Sequence, residues 1–216
     1  MVSEILIAAA VAMAVELLAG AVRKLRDLWG RRKLTQNAQA VMSDTDKAKI
    51  EETRQLIREC FGDSTAECIR EKSNRERIAI MADFAERLVR VYDLNIDVDV
   101  TVSDVNDRGF YDWKNRKALF NIALLMIDGD NEYFAFAVDL IIETIIHELR
   151  HAVQHHTVEN KGFWNVDEDR RQSWAENMLP GKYIRPEVDE RGYASQPIEK
   201  DAVTFAELVM EGIRSI

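Results

Sequence analysis

The sequence predicts an α+β protein in which a short antiparallel or mixed sheet precedes one long apolar helix, with amphipathic helices before and after them in the chain. Three observations carry this. Ile96, Val98, Val100 and Val102 alternate with polar residues, the period of a strand with one buried face. From Glu132 to His156 the chain is apolar around most of a helical surface, as befits the centre of a core. Ser43–Phe61 and Ser73–Tyr92 carry apolar residues at helical spacing behind helix-starting serines.

Taken in order, Ser43 and Asp44 open a helix whose apolar positions are Ile50, Leu56, Ile57, Cys60 and Phe61, and Gly62 stops it. Ser73, with Glu76 three residues on, opens a second that places Ile78, Met81, Ala85, Leu88 and Tyr92 on one stripe. Strands are expected over Asn95–Val102, Gly109–Trp113 and Lys117–Leu124, the last two joined by the turn-like Lys114-Asn115-Arg116. Together they predict an antiparallel meander. Asp128-Gly129-Asp130-Asn131 breaks the chain before the long helix. From Thr157 to Gln196 the sequence is polar, with Pro180-Gly181 and Pro186 as turn makers, and reads as loop with one short helix around Arg170–Met178. Pro197 then starts a closing helix with Ala202, Phe205, Leu208, Val209 and Ile213 on its apolar side.

The chain has 216 residues, 47% of them hydrophobic, enough for one full core. It is expected to divide into an apolar helix with a basic connector (1–42), a helical extension (43–73) and a main domain (74–216). A net charge of -9 argues against nucleic acid as a partner, because phosphate binding needs surplus Lys and Arg. Peptides or proteins are the expected partners. Cys60 and Cys68 are too few for a disulfide framework or a cysteine-based metal site, which suits a reducing cytoplasmic setting. Ile5–Val22 is apolar apart from Glu16 and is followed by Arg23, Lys24 and Arg26. Its charge order is wrong for a cleaved signal peptide. It is a candidate for membrane association from the cytoplasmic side, although a carboxylate near the bilayer centre costs roughly 2.5 to 3.5 kcal/mol.

The chemistry lies in His147-Glu148-Leu149-Arg150-His151, an H-E-x-x-H sequence within the long helix. Residues four apart stand on the same helical face about 6 Å apart along the axis, so two imidazoles can grip one ion and Glu148 can reach a water on it. Asp139, Glu143, His147, Arg150, His151 and Gln154 gather on one side, and a polar stripe on a core helix must be satisfied by partners or an ion. Zn2+ is the expected cofactor. A hydrolytic zinc site takes three protein ligands, so one more is required. His155 lies about 12 Å along the axis from His147, too far to share the ion. A metzincin continuation would need Gly and His where Gln154 and Thr157 stand. Among downstream carboxylates Glu199 is preferred, being in the first turn of the closing helix with the small Ala202 three residues on, and Asp201 is its rival.

With Glu199, Ala202, Phe205 and Ala206 following the motif as E-x-x-A-x-x-F-A, the sequence resembles the gluzincin-type zinc metallopeptidases, in particular the minigluzincin and ImmA/IrrE-type enzymes. In layout the resemblance covers roughly residues 74 to 216. It implies a compact zincin-like fold, with a supporting helix, a short sheet, the active-site helix and a glutamate-bearing C-terminal helix, and His147, His151 and Glu199 as metal ligands. Two departures stand out. The connection from His151 to Glu199 is long for this group, and Val203 occupies the place where thermolysin-like gluzincins carry an Asp that orients a zinc-binding His.

The mechanism expected of such a site is peptide-bond hydrolysis, with zinc activating water and polarising the carbonyl while Glu148 acts as general base. Tyr193, Tyr183 and His156 are open candidates for the oxyanion donor. An edge position for the Lys117–Leu124 strand would let an extended peptide dock by strand addition. The competing readings are a non-catalytic zinc-bound peptide-binding module and a membrane- or scaffold-associated interaction protein. Glu148 favours catalysis over the first of these, because a pure binder needs no base beside the metal.

Overall fold

The structure, a computed structural model, describes residues 42–103 and 108–214. Residues 1–41, with the membrane-associating candidate Ile5–Val22, lie outside them. Among the described residues no helix is long and apolar enough to cross a membrane. The chain forms α1 (Asp44–Phe61), α2 (Thr65–Arg70), α3 (Asn74–Val91), β1 (Asp97–Thr101), β2 (Gly109–Asp112), β3 (Lys117–Asn121), a 3-10 turn (Ala123–Met126), α4 (Phe134–Glu159), α5 (Glu168–Asn177), α6 (Glu190–Ser195) and α7 (Pro197–Arg214). The class is α+β with a small three-stranded mixed sheet.

The helix starts follow local chemistry. Ser43 and Ser73 each close a capping box, with Asp46 and Glu76 respectively answering the cap backbone N–H. Gly62 ends α1 at φ 69°, a conformation that favours glycine. By contrast, α4 begins without a side-chain cap. Tertiary packing compensates: Val138, Ile142, Ile145, Ile146, Leu149 and Val153 of α4 are wholly buried, and Ile57 of α1, Phe84 and Leu88 of α3 and Phe205 of α7 belong to the same core.

The sheet is not the expected meander. Its order is β1-β3-β2, with β1 parallel and β2 antiparallel to β3. Burial explains the arrangement. Ala118 and Phe120 of β3 are the fully covered strand residues, whereas Val98 and Val100 of β1 are half-buried and Phe110 of β2 is 50% exposed, so β3 takes the centre. A strand in the centre cannot accept an added strand, which corrects the edge position expected for Lys117–Leu124. That strand also ends early. The Asn121 side chain accepts from the backbone N–H groups of Ser103 and Ala123 and turns the chain into the 3-10 segment.

The edge beside α4 is β2. Asn121 donates its backbone N–H to the Arg108 carbonyl at 2.8 Å, so Phe110 and Asp112 continue the ladder, and the main-chain groups of Gly109 and Tyr111 point off the sheet.

One buried cation fixes where α4 begins. Arg77 of α3, 5% exposed, donates to the carbonyls of Ile69 (3.2 Å), Arg70 (2.7 Å), Leu125 (2.6 Å) and Ile127 (2.8 Å). Its guanidinium lies 4.6 Å from the ring centroid of Phe134, the first residue of α4. Replacing Arg77 by Met leaves these carbonyls without their donor and is expected to lower stability by about 3 kcal/mol. Urea unfolding reads this, and a wild-type midpoint would refute it.

Candidate metal centre

The site is built where α4 and α7 cross. His147 and His151 stand one turn apart on α4, with rings perpendicular at 89° and centroids 4.6 Å apart. Their Nε2 atoms are 3.0 Å from each other. Glu199, in the first turn of α7 and 1% exposed, brings Oε2 to 3.4 Å from His147 Nε2 and Oε1 to 3.4 Å from His151 Nε2. Thus the three residues singled out in the sequence each offer one ligand atom within 4.8 Å of the others.

The polar atoms at this point are not mutually satisfied. Glu199 Oε2 is buried with no hydrogen-bond partner among the described residues, although a buried carboxylate oxygen normally has one. Two imidazole nitrogens and two carboxylate oxygens converge on one small space, and lone pairs so arranged could hold a metal ion between them. Without an ion a proton serves. Burial opposes a charge on His151, but the Glu199 carboxylate outweighs it and raises the imidazole to about 9. Burial likewise opposes charge on Glu199, and the two histidines overcome it, holding that carboxyl far below its ordinary range.

Glu148 lies beside this triad against β2. Burial raises its carboxyl above the usual glutamate value, partly offset by His147 and His151 and by the backbone N–H of Tyr111, which donates to it. Gly109 makes the approach feasible: a Cβ there would stand 3.2 Å from Glu148 Cγ and 3.1 Å from the Leu119 carbonyl oxygen. A half-buried carboxyl of raised proton affinity beside such a triad is suited to move protons.

Of the three oxyanion candidates, two reach the site. The Tyr183 hydroxyl donates to Glu199 Oε1 at 2.8 Å, and Tyr193 also hydrogen-bonds this carboxylate. Their rings meet edge to face at 6.3 Å. Burial and the Glu199 charge raise both phenols, so both remain donors. His156 is roughly 140° round the helix from His151. Its Nδ1 donates to the Ala152 carbonyl and its ring packs on Phe163. His155 is likewise outside the triad, stacked on Trp113 and lowered to about 4 by burial.

Asp201, the rival ligand, is engaged elsewhere. It accepts from Arg150 Nε (2.7 Å), Arg150 Nη2 (3.3 Å), Gln154 Nε2 (2.7 Å) and Arg170. Arg150, wholly buried, also pairs with Asp46 of α1 at 2.8 Å, as does Arg170 at 2.6 Å. Arg150 therefore points to the interior rather than to the triad, and its guanidinium lies 4.6 Å from the ring centroid of Phe205 and 4.9 Å from that of Trp164. Sequence reasoning missed this cluster, as it missed α6, which carries Tyr193. The available signal was that Arg150 stands at the border of the polar stripe, about 60° round the helix from Val153 of the apolar face. Arg108, at the head of β2, was also missed. Burial lowers its guanidinium, and Glu143, Glu148 and Tyr193 act on it electrostatically.

Comparison with models of known protein families, with curated proteins and with solved structures yields no match for this chain.

The buried cluster predicts an acid limit. Burial pushes the Asp201 carboxyl up, but Arg150 and Arg170 outweigh it and bring it to about 2, from an ordinary 3.8; Asp46 is lowered by the same two cations. A carboxyl lowered on folding stabilises the native state above its unfolded value, so this contribution is complete above about pH 4 and drains as pH falls through about 2. Asp201→Asn, which leaves Arg150 short of its partner, is expected to cost about 3 to 5 kcal/mol at pH 7 and to flatten the decline between pH 4 and pH 2. Urea unfolding across that range measures both, and an unchanged profile would count against the cluster.

Proposed function

We infer that this chain is a zinc-dependent metallopeptidase of the gluzincin type, built on a zincin-like fold and hydrolysing peptide bonds of a protein or peptide substrate. The observation that carries the reading is the ligand triangle. Donors at the zinc distances of about 2.0 to 2.2 Å in a tetrahedron stand about 3.3 to 3.6 Å apart. Here the two imidazole Nε2 atoms are 3.0 Å apart, slightly closer than that, and each lies 3.4 Å from a different oxygen of the Glu199 carboxylate, with one ligand atom from each of the three residues within 4.8 Å of the others. Zinc, when bound, would supply Lewis acidity and a water of lowered pKa.

The chain's own residues account for the rest. His147, His151 and Glu199 leave the side towards Glu148 and β2 for water and substrate. Glu148 takes the proton of the attacking water and delivers it to the departing amine nitrogen as the C–N bond breaks, a transfer helped by its raised affinity for protons. Tyr183 and Tyr193 bring phenolic donors to the same place, suited to a carbonyl oxygen gaining negative charge. The off-sheet edge of β2 offers main-chain groups to an extended peptide immediately beside Glu148. Substrate entry at β2 replaces the β3 route expected from sequence.

Metal analysis with a peptide-cleavage assay tests the reading. Wild type and Glu148→Gln are expected to hold about one zinc per chain, with cleavage in the variant reduced on the order of 10²- to 10⁴-fold. His147→Ala should lose the metal. A wild type that binds no zinc, or equal cleavage by wild type and Glu148→Gln, would sink the assignment.

A further inference from the structure

The peptidase reading leaves Gln154 without a role, yet both ends of its amide are committed. It is fully buried on α4, three residues beyond His151. Its Nε2 donates to the Ile198 carbonyl at 2.9 Å and to Asp201 Oδ2 at 2.7 Å. Both of these groups accept, so the amide cannot be reversed without setting oxygen against oxygen. Its Oε1 is therefore the atom 2.8 Å from His151 Nδ1. An amide oxygen only accepts. Hence Nδ1 carries a hydrogen, and in the neutral imidazole that a metal ion requires, Nε2, the atom facing Glu199 and His147, is the one left with its lone pair.

The hydrogen-bond chain does not stop at Gln154. Asp201 is gripped by Arg150 and Arg170, and the same two guanidinium groups grip Asp46. Asp46 Oδ2 accepts the backbone N–H of Ser43 at 3.0 Å and its hydroxyl at 2.9 Å, closing the N-cap of α1. A continuous path of polar contacts thus runs from the first turn of α1 to an imidazole of the metal triad.

We propose that Gln154 is a positioning residue that selects the metal-binding tautomer of His151, and that through Asp201, Arg150, Arg170 and Asp46 it couples cation binding at the triad to the docking of the α1 start. The coupling is reciprocal: whatever the docked α1 contributes to metal affinity, the metal returns as protection of α1. This rests on the triad being a metal site, and the experiment separates the two.

Zinc affinity is measured on the full chain by competition with a chromophoric chelator, for wild type, Gln154→Leu and Asp46→Asn. Amide hydrogen exchange over residues 44–50 is followed with and without zinc. Gln154→Leu is expected to bind zinc about 10- to 100-fold more weakly than wild type, and Asp46→Asn to be weakened in the same direction. Zinc should slow exchange over 44–50 in wild type, with the effect reduced in Gln154→Leu. Nitrogen NMR of the zinc-loaded wild type, which needs no variant to fold, should find the His151 proton on Nδ1. Tight zinc binding by wild type, together with equal affinity in a folded Gln154→Leu, unchanged exchange over 44–50 or a bare Nδ1, would overturn this inference and leave the peptidase reading intact. No zinc binding by wild type would overturn both.

Discussion

A buried arginine inside the histidine motif sets the register between the two helices that make the site. Arg150 lies between His147 and His151 in sequence, and Asp201 lies two residues beyond Glu199. When Arg150 pairs with Asp201 in the interior, α7 is pinned against α4 at the height that delivers Glu199 to the imidazoles. The same turn of α4 thus presents two chemistries on two sides, a structural ion pair inward and, towards β2, two imidazoles placed with Glu199 so that they could hold a metal ion.

The two sides differ in charge balance. In the interior cluster the two guanidinium groups of Arg150 and Arg170 face the two carboxylates of Asp46 and Asp201, and aromatic rings of Trp164, Trp174 and Phe205 cover Arg150. Such a cluster is neutral, and the desolvation of each ion is offset by its partners. On the other side Glu199 and Glu148 sit with two imidazoles, and Glu148 also acts electrostatically on the Arg108 guanidinium. Against the opposition of burial, Glu199 raises the His151 imidazole, and the two histidines lower the Glu199 carboxyl.

The sheet contributes an edge rather than a wall. With β3 in the centre, β2 lies beside α4, and the absence of a side chain at Gly109 lets the strand approach Glu148 closely. The Tyr111 N–H, free of the ladder, reaches the Glu148 carboxylate. A strand edge turned towards the Glu148 carboxyl is a different device from the supporting sheet that alternation alone implies. On the far side of the site, Gln196 before α7 ties Tyr183 into place by exchanging hydrogen bonds with the Ile184 backbone.

Features governed by contacts along the chain were legible in the sequence: the capped starts of α1 and α3, the stop at Gly62, the strand segments, and the spacing that stacks His147 on His151. Glu199 was legible as a preference because it opens a helix behind Pro197 with a small residue one turn on, and its rival Asp201 could be separated from it only in three dimensions. What the tertiary structure decided was strand order, the assignment of Asp201 to Arg150, the inward turn of Arg150, the arrival of Tyr183 and Tyr193 at Glu199, and the amide of Gln154 behind His151. Periodicity and capping report on neighbours within a turn or a strand pair, whereas each of these depends on groups far apart in the chain meeting in an environment where an unpaired charge or donor costs several kcal/mol. That cost acts only after the core has closed, so it leaves no local pattern for the sequence to display.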